Sequence, residues 1–358
     1  MHETRYIKVN IERRTLPIVQ TGYSKVTMIV RDKDMPFTDM SKEEALKAFE
    51  TDTDAYKALS SYFKQPNAQP IGVVGIGKEK TLSEELEQNK GVLGDGYYVT
   101  TSSLVDEDVK AISEFVAGQK GIALLGTGSI ELAEEMFVKS NSHPRTHLTV
   151  TDKPEQYAGP AIAGASSSKF FGTYVQQFKQ LVGIDPIGLV EKDDEETGRT
   201  PFTYNDEQRI IKANANTYWR DGGFNVVSGV KLIGGEFMDA YQTEDYIANE
   251  ISKRIHNRFL THDKIDYTDA GIDVLHSALI DTLMAASATN VRVLALDDQG
   301  NVTFKTNAKR RREVDVELVK QRIYDGLSFI AVPTGHIGAA EINGIITFDF
   351  KEVDEWQQ

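Results

Sequence analysis

The sequence predicts an α/β fold: a central, mostly parallel or mixed sheet with flanking helices, followed by an α+β C-terminal domain, with an extended arm at each end of the chain. Two observations predict it. Short apolar, β-rich runs alternate with helical segments over residues 31–205, which is typical of a parallel sheet covered by helices. Each end of the chain carries a β-rich run that needs a partner strand.

The chain has 358 residues, of which 40% are hydrophobic and 26% are charged. It can therefore bury a sizeable core, divided over roughly two or three domains. No run of about 18 apolar residues is present, so we expect no membrane insertion. The first 20 residues lack the apolar centre of a signal peptide, so we expect the protein to be cytoplasmic when made.

Residues 1–30 form the predicted N-terminal arm. Its apolar positions Tyr6, Ile7, Val9 and Ile11 largely alternate with polar ones, as in a half-buried strand. A second β-rich run lies at 26–30. A lone strand leaves its backbone groups unpaired, so this arm needs a partner strand in its own domain or in a neighbouring molecule.

Residues 31–205 form the predicted α/β domain. Ser41 is a candidate N-cap with Glu44 at the capping-box position of the first helix. Predicted helices lie at 41–62, 82–88, 105–117 and 129–136, and predicted strands at 71–76, 96–101, 121–125 and 147–151.

A charged, turn-rich loop at 191–201 precedes the C-terminal domain, residues 206–343. Helices are predicted at 206–215, 243–259 and 268–288, a strand-like run at 226–233, a hairpin turn at 297–300, and a helix or a strand at 314–325. Residues 344–358 form the C-terminal arm, which begins with a strongly β-forming run at 344–350.

The net charge of −14 argues against a nucleic-acid-coating protein, and the absence of cysteine excludes disulfides, thiolate metal sites and cysteine nucleophiles. One dense basic run occupies 309–312, but acidic residues follow it at once. We interpret that run as a solvated turn or a protein-contact patch.

Two glycine-rich segments resemble nucleotide-binding loops only in part. In 72–79, Glu79 stands where a phosphate-binding loop needs a hydroxyl for magnesium. In 126–131, Glu131 replaces the third glycine of a dinucleotide fingerprint, and Ser129 is better explained as a helix cap. The seven histidines show no metal-ligand spacing, and no catalytic, cofactor or metal residues can be named.

Three segments of the C-terminal half carry a family resemblance. They are a glycine-led strand and turn at 228–239, the start of a long helix at 243–247, and Lys-Ile-Asp-Tyr-Thr-Asp-Ala-Gly-Ile at 264–272. Together they resemble the phage tail sheath family, in particular a branch described as a domain of unknown function in phage tail proteins.

The resemblance implies a structural subunit of the virion rather than an enzyme. It implies hexameric rings stacked around a tail tube, which contract to drive the tube through the host envelope, with baseplate and tail terminator proteins as further partners. It also implies that the terminal arms add strands to neighbouring subunits. The candidates for strand exchange are Tyr6, Ile7, Val9, Ile11, Ile345, Ile346, Phe348 and Phe350.

The resemblance further implies that a helix of the C-terminal domain faces the tube. Lys253, Arg254 and Arg258 are the candidate contacts, although the same residues could form a solvated helix face. Two alternatives stay open: a non-contractile tail or baseplate adaptor of the same fold, and a nucleotide-binding α/β enzyme using the 72–78 loop.

Overall fold

The structure, a computed structural model, describes residues 23–88, 91, 93–94, 96–119, 121–169, 174–188, 200–288 and 291–340. The predicted strand residues of both arms (Tyr6, Ile7, Val9, Ile11, Ile345, Ile346, Phe348 and Phe350) lie outside them. Most of the charged loop predicted at 191–201 also lies outside them.

A six-stranded mixed sheet forms the centre of the molecule, in the order β2-β3-β1-β4-β5-β6. Five strands are parallel and β2 pairs antiparallel with β3, so the predicted mostly parallel or mixed sheet with flanking helices is confirmed. The strands are β1 Val26–Val30, β2 Met35–Met40, β3 Ile71–Gly75, β4 Tyr98–Thr101, β5 Ile122–Thr127 and β6 Thr146–Val150.

The strand that the sequence analysis assigned to the N-terminal arm, β1, is a central strand of this sheet. It pairs in parallel with β3 on one side and β4 on the other, and all five of its residues are buried. A strand that is covered on both faces has a continuous apolar sequence. It lacks the alternation of apolar and polar residues that would show which side of a sheet it borders. The α/β domain therefore begins before residue 31.

Ten α-helices accompany the strands in the described residues. They are α1 Lys42–Lys47, α2 Asp54–Phe63, α3 Leu82–Gln88, α4 Asp106–Gln119, α5 Ile130–Val138, α6 Ala158–Ser167, α7 Tyr204–Lys212, α8 Met238–Thr261, α9 Asp269–Ser287 and α10 Val316–Lys320. The capping box of Ser41 and Glu44 is confirmed. The single helix predicted at 41–62 is instead two, because Thr53 caps a new helix by accepting a hydrogen bond from the Tyr56 amide at 3.2 Å.

Helix α6 was not predicted from the sequence. Its residues are mostly small, and nearly all are buried. Small side chains let its backbone approach β5 and α2 closely: a Cβ on Gly164 would lie 2.2 Å from the Tyr62 carbonyl oxygen. The helix therefore lacks the polar face from which helices are recognised in sequence.

Two hydrophobic cores lie on opposite faces of the sheet. One is formed by β-strand residues such as Ile29, Val99 and Leu125 with α3, α4 and α5. The other contains Met28 and Val30, α2 and α6, and continues into α8 and α9. The C-terminal helices thus share a core with the sheet.

Two small antiparallel sheets complete the fold. Strands β7 Tyr218–Asp221 and β8 Phe224–Val227 form one, and β9 Lys305–Ala308 and β10 Leu327–Ile330 form the other. The turn predicted at 297–300 is confirmed by a 2.9 Å hydrogen bond from the Gly300 amide to the Asp297 carbonyl. The run predicted as a strand at 226–233 is a strand only as far as Val227.

A buried ion pair ties the C-terminal helices to the central sheet. The Arg145 guanidinium, at the start of β6, donates two hydrogen bonds to the Asp245 carboxylate on α8, at 2.7 and 3.0 Å. The Tyr97 hydroxyl, next to β4, donates a third at 2.8 Å. Arg145 is 3% exposed and Asp245 0%, so both charges are removed from water and depend on each other.

The surroundings of the pair keep the Arg145 guanidinium charged and the Tyr97 hydroxyl protonated. Burial opposes the charge on Arg145, but the Asp245 carboxylate outweighs it and raises the pKa of the guanidinium. Burial, together with the negative charge of Asp245, raises the pKa of the Tyr97 hydroxyl well above its usual value, so that this group stays a donor. The Arg145 guanidinium also lies 4.4 Å from the ring centre of Tyr241, one turn away on α8.

We predict that Arg145→Met and Asp245→Leu each lower the free energy of unfolding by about 3–5 kcal/mol, because each leaves one buried charge without its partner. The double substitution should cost clearly less than the sum, since no buried charge then remains. Urea unfolding of the four proteins measures both quantities.

Arg209→Ala is the matched control, because Arg209 forms a partly exposed ion pair with Glu134 between α7 and α5. It should leave the urea midpoint nearly unchanged. If Arg145→Met and Asp245→Leu change the urea midpoint no more than Arg209→Ala does, the two buried charges do not depend on each other.

Candidate assembly interface

The β9–β10 sheet has two outer edges to which no further strand is paired in the described residues. The Lys309 amide donates a hydrogen bond to the Gly326 carbonyl at 3.0 Å. From this pair the register continues along β9 and β10 without a bulge, so every second residue of each strand bonds to the other strand. In an antiparallel ladder alternate residues point to the partner strand. The backbone groups of Thr306 and Ala308 therefore point away from β10.

The same alternation applies to β10, where the backbone groups of Leu327 and Phe329 point away from β9. Both edges thus present amide and carbonyl groups to further strands. Open edges of this kind are templates for strand addition, which natural proteins otherwise block.

The central sheet, by contrast, has protected edges. At β6, Asn216 accepts a 2.8 Å hydrogen bond from the Val150 amide and donates one to the Leu148 carbonyl, so a loop covers this edge. At the other edge, β2 is interrupted by a register shift between Met35 and Thr38 and contains Pro36. The β9–β10 sheet is therefore a better candidate for strand addition than the central sheet.

One face of the β9–β10 sheet packs against the body of the protein. Leu327 and Phe329 are half-buried against the core that contains α9, and the Thr306 hydroxyl lies 2.8 Å from Nε2 of His276 on α9. Helix α9 in turn packs along α8, whose Asp245 is held by Arg145. The position of the open sheet is therefore fixed relative to the central sheet.

Tyr23, the first described residue, also contacts α8. Its hydroxyl accepts a hydrogen bond from Asn249 and lies 3.4 Å from a Glu250 oxygen. Its ring packs on Tyr246 and Tyr97, with ring centres 5.4 and 6.4 Å away. Burial raises the pKa of Tyr23. Tyr23, which no sequence pattern indicated, thus attaches the start of the described chain to α8.

The predicted tube-facing residues all lie on α8, but their surroundings differ. Lys253 is exposed and lies 3.1 Å from Glu250, and Arg258 lies 3.0 Å from Asp281 on α9. Arg254 is half-buried, and its buried Nε has no hydrogen-bond partner among the described residues.

The glycine loop at 72–79 is occupied by the protein's own side chains. The Gly77 amide donates to Asp34 at 2.8 Å, and the Lys78 ammonium lies 3.5 Å from Asp54. Arg31 fills the turn from inside and donates to the carbonyl oxygens of Ile76 and Lys80. The Asp34 carboxylate thus accepts the hydrogen bond from the Gly77 amide, which a bound phosphate would need.

The second glycine segment is a helix start, as predicted. The Ser129 hydroxyl accepts a 3.0 Å hydrogen bond from the Leu132 amide and caps α5. In the described part of the chain, no group of three His, Asp or Glu side chains could hold a metal ion. No helix there combines the length and hydropathy of a membrane span.

Three solved structures share the fold of this chain. A chain of the anti-feeding prophage (AFP) helical sheath in the contracted state matches with a TM-score of 0.62 and 10% identity, over 98% of this chain and 100% of that chain. A chain of the six-fold symmetrised AFP baseplate matches with a TM-score of 0.60 and 9% identity, over 97% and 100%.

The sheath tail protein of Desulfitobacterium hafniense matches with a TM-score of 0.52 and 8% identity, over 91% of this chain and 99% of that chain. No protein-family model and no curated protein matches the sequence. The resemblance predicted from the sequence is thus confirmed by structure: this chain has the fold of contractile-sheath proteins.

Proposed function

We propose that this protein is a structural subunit of a contractile tail sheath and not an enzyme. The observation that carries the proposal is the β9–β10 sheet, which is held rigidly on the body and has open edges on both sides. The fold shared with sheath chains supports the same conclusion. The occupied glycine loop gives no support to the nucleotide-binding alternative.

In this proposal, strands from other copies complete the β9–β10 sheet. Thr306 and Ala308 on one edge, and Leu327 and Phe329 on the other, would bond to the incoming strands. The proposed donors are the β-rich runs around Tyr6, Ile7, Val9 and Ile11 and around Ile345, Ile346, Phe348 and Phe350. Each subunit would then be linked to its neighbours through backbone hydrogen bonds.

Such a linkage suits a polymer that changes shape. Backbone ladders tolerate changes in side-chain contacts, so rigid subunits can rotate against one another while the strands stay paired. We propose hexameric rings, stacked around a tail tube in the virion and assembled in the host cytoplasm. Contraction would release energy stored in the contacts between subunits and drive the tube into the host envelope.

A second candidate function is a baseplate or tail adaptor of the same fold. One observation favours it: the match to a chain of the AFP baseplate is almost as good as that to the AFP sheath, with TM-scores of 0.60 and 0.62. An adaptor would form a single ring that does not elongate, and its partners would be baseplate and terminator proteins.

We predict that the full-length protein forms rings or tubes in negative-stain micrographs and that removal of residues 341–358 abolishes them. The reason is that the truncated chain has lost one proposed donor strand while keeping the described body. Lys78→Ala, which changes the glycine loop instead, should assemble like the wild type. Single rings that never elongate would favour the adaptor, and assembly of the truncated chain would contradict strand donation.

Ala308→Pro tests the acceptor edge. Proline removes an outward N–H and leaves the β9–β10 bonds intact, a position where strands tolerate it. We predict that this variant keeps the circular dichroism spectrum of the wild type but sediments as a single subunit. Ala308→Ser, which keeps the amide, should assemble. Normal assembly of the proline variant would show that this edge accepts no strand.

For the tube contact, we propose Arg254 as the main contributor among the three candidates, because Lys253 and Arg258 already face carboxylates of their own chain. Arg254→Glu should reduce co-sedimentation with polymerised tail tube protein several-fold. Lys57→Glu, which changes an exposed lysine on α2, is the matched control. Equal binding by both variants would assign the α8 residues to a solvated face.

A further inference from the structure

The end of the β9–β10 sheet where β9 stops and β10 begins carries an excess of positive charge. The basic run at 309–312 follows β9 directly, and its four side chains are exposed. The Tyr324 hydroxyl donates to the Lys309 carbonyl at 2.8 Å, which ties the run to the residues just before β10. Residues 305–326 contain seven basic and four acidic residues, although the whole chain has a net charge of −14.

Carboxylates of the same chain neutralise only part of this run. Arg310 lies 2.7 Å from Asp273 on α9, whereas Lys309, Arg311 and Arg312 form no ion pair with the residues that the structure describes. The backbone of the run is nevertheless fixed, because the Arg311 amide donates to Asp269 at 2.9 Å. Three exposed cations are thus presented in a fixed place at the end of an open sheet, where an acidic partner can meet them.

The two proposed donor segments have opposite charges. The C-terminal one ends in an acidic stretch, 349–355, with four acidic residues and one basic residue (Asp349, Glu352, Asp354, Glu355 and Lys351). The N-terminal one, 1–14, has four basic residues and two acidic ones (Arg5, Lys8, Arg13, Arg14, Glu3 and Glu12). Charges attract or repel over about 10 Å in about 0.1 M salt. The run at 309–312 therefore attracts the C-terminal segment and repels the N-terminal one.

The position of the run also distinguishes the two edges of the sheet. A strand added antiparallel to β10 ends at the side where β10 begins, which is the side of 309–312. A strand added antiparallel to β9 ends at Lys305 instead, and only a parallel strand there would end at the run. Antiparallel addition continues the pairing that β9 and β10 already have. An acidic strand end thus reaches the run from the β10 edge.

The side chains of β10 fit an added strand with two apolar faces. On one face, Leu327 and Phe329 are half-buried against the core. On the other face, Ser328 is exposed and Ile330 is 70% exposed, next to the open edge. A large apolar side chain so exposed gains burial when a strand covers the edge.

The C-terminal run has the complementary pattern. In a strand, Ile346 and Phe348 share one face, and Ile345 shares the other with Thr347. If Ile345 lies opposite Ile330, the exposed isoleucine is covered, and Ile346 and Phe348 lie opposite the two half-buried residues of β10. The acidic stretch 349–355 then passes the end of β10 and reaches 309–312. One antiparallel register thus satisfies both apolar faces and the charges.

We infer that the segment 344–355 of another copy adds to the β10 edge, antiparallel to β10, and that the basic run at 309–312 selects it by charge over the N-terminal segment. This inference rests on the strand donation proposed above, and it specifies the donor, the edge and the direction. The β9 edge then remains for the N-terminal segment. Strand addition at β10 is therefore sensitive to salt, whereas the backbone ladder itself is not.

Engineered disulfides test the donor and the register, since the natural chain has no cysteine. Ile330 and Ile345 would form a non-hydrogen-bonded pair with Cα atoms about 4.5 Å apart, within reach of a disulfide. Full-length Ile330→Cys protein, assembled with affinity-tagged Ile345→Cys protein, should give a mixed disulfide on non-reducing gels. Thr347→Cys, displaced by two residues to a distance of roughly 7–8 Å, should link poorly. Ile7→Cys, in the N-terminal segment, should also link poorly.

Charge reversal tests the selection. Asp354→Lys/Glu355→Lys in the donor should slow formation of the mixed disulfide several-fold at about 50 mM salt and little at about 1 M salt, where screening is strong. Arg311→Glu/Arg312→Glu in the acceptor should have the same effect. Combining the reversed donor with the reversed acceptor should restore the rate, which a misfolded variant could not do.

Glu84→Lys/Glu87→Lys, which reverses two exposed charges on α3, is the matched control and should leave the rate unchanged. The inference is overturned if Ile7→Cys links as well as Ile345→Cys, or if the reversals act no more than this control; rings or tubes in the same samples would still support the sheath subunit. A disulfide that forms within a chain carrying both Ile330→Cys and Ile345→Cys, but never between chains, would contradict strand donation itself.

Discussion

The buried ion pair of Arg145 and Asp245 is the interaction on which the arrangement of this molecule depends. Its two charges belong to different halves of the fold: Arg145 directly precedes β6 of the central sheet, and Asp245 lies on α8. Because each charge is buried, a shift of one half against the other that separates the pair would leave an unpaired ion in an apolar environment. The pair therefore makes the sheet domain and the C-terminal helices one mechanical unit.

That unit explains how a subunit can carry an open sheet without losing its own order. The β9–β10 sheet packs on α9, α9 packs on α8, and α8 is fixed by Asp245. Tyr23 binds the same helix next to Tyr97, which also donates to Asp245. The start of the described chain and the open sheet are thus both positioned by α8, as the proposed linkage between subunits would require.

The sequence predicted what is local and periodic. The mostly parallel sheet, the caps at Ser41 and Ser129 and the presence of helices α8 and α9 were all accessible from patterns of apolar residues and capping groups. Helix α6 was missed because its small residues show no polar face, and β1 was misplaced in the arm because both of its faces are buried. The Arg145–Asp245 pair joins residues 100 positions apart. The open edges of β9 and β10 depend on how these two strands pair with each other. Neither feature produces a pattern that a single sequence shows.

The central claim is that other copies of the chain complete the β9–β10 sheet. Residue-resolved hydrogen exchange of β9, in dissociated and in assembled protein, tests it most directly. The amides of Lys305 and Asn307 point to β10 and should be protected in both states, whereas those of Thr306 and Ala308 should exchange rapidly in the free subunit and become protected on assembly. Rapid exchange of Thr306 and Ala308 within intact assemblies would contradict the account.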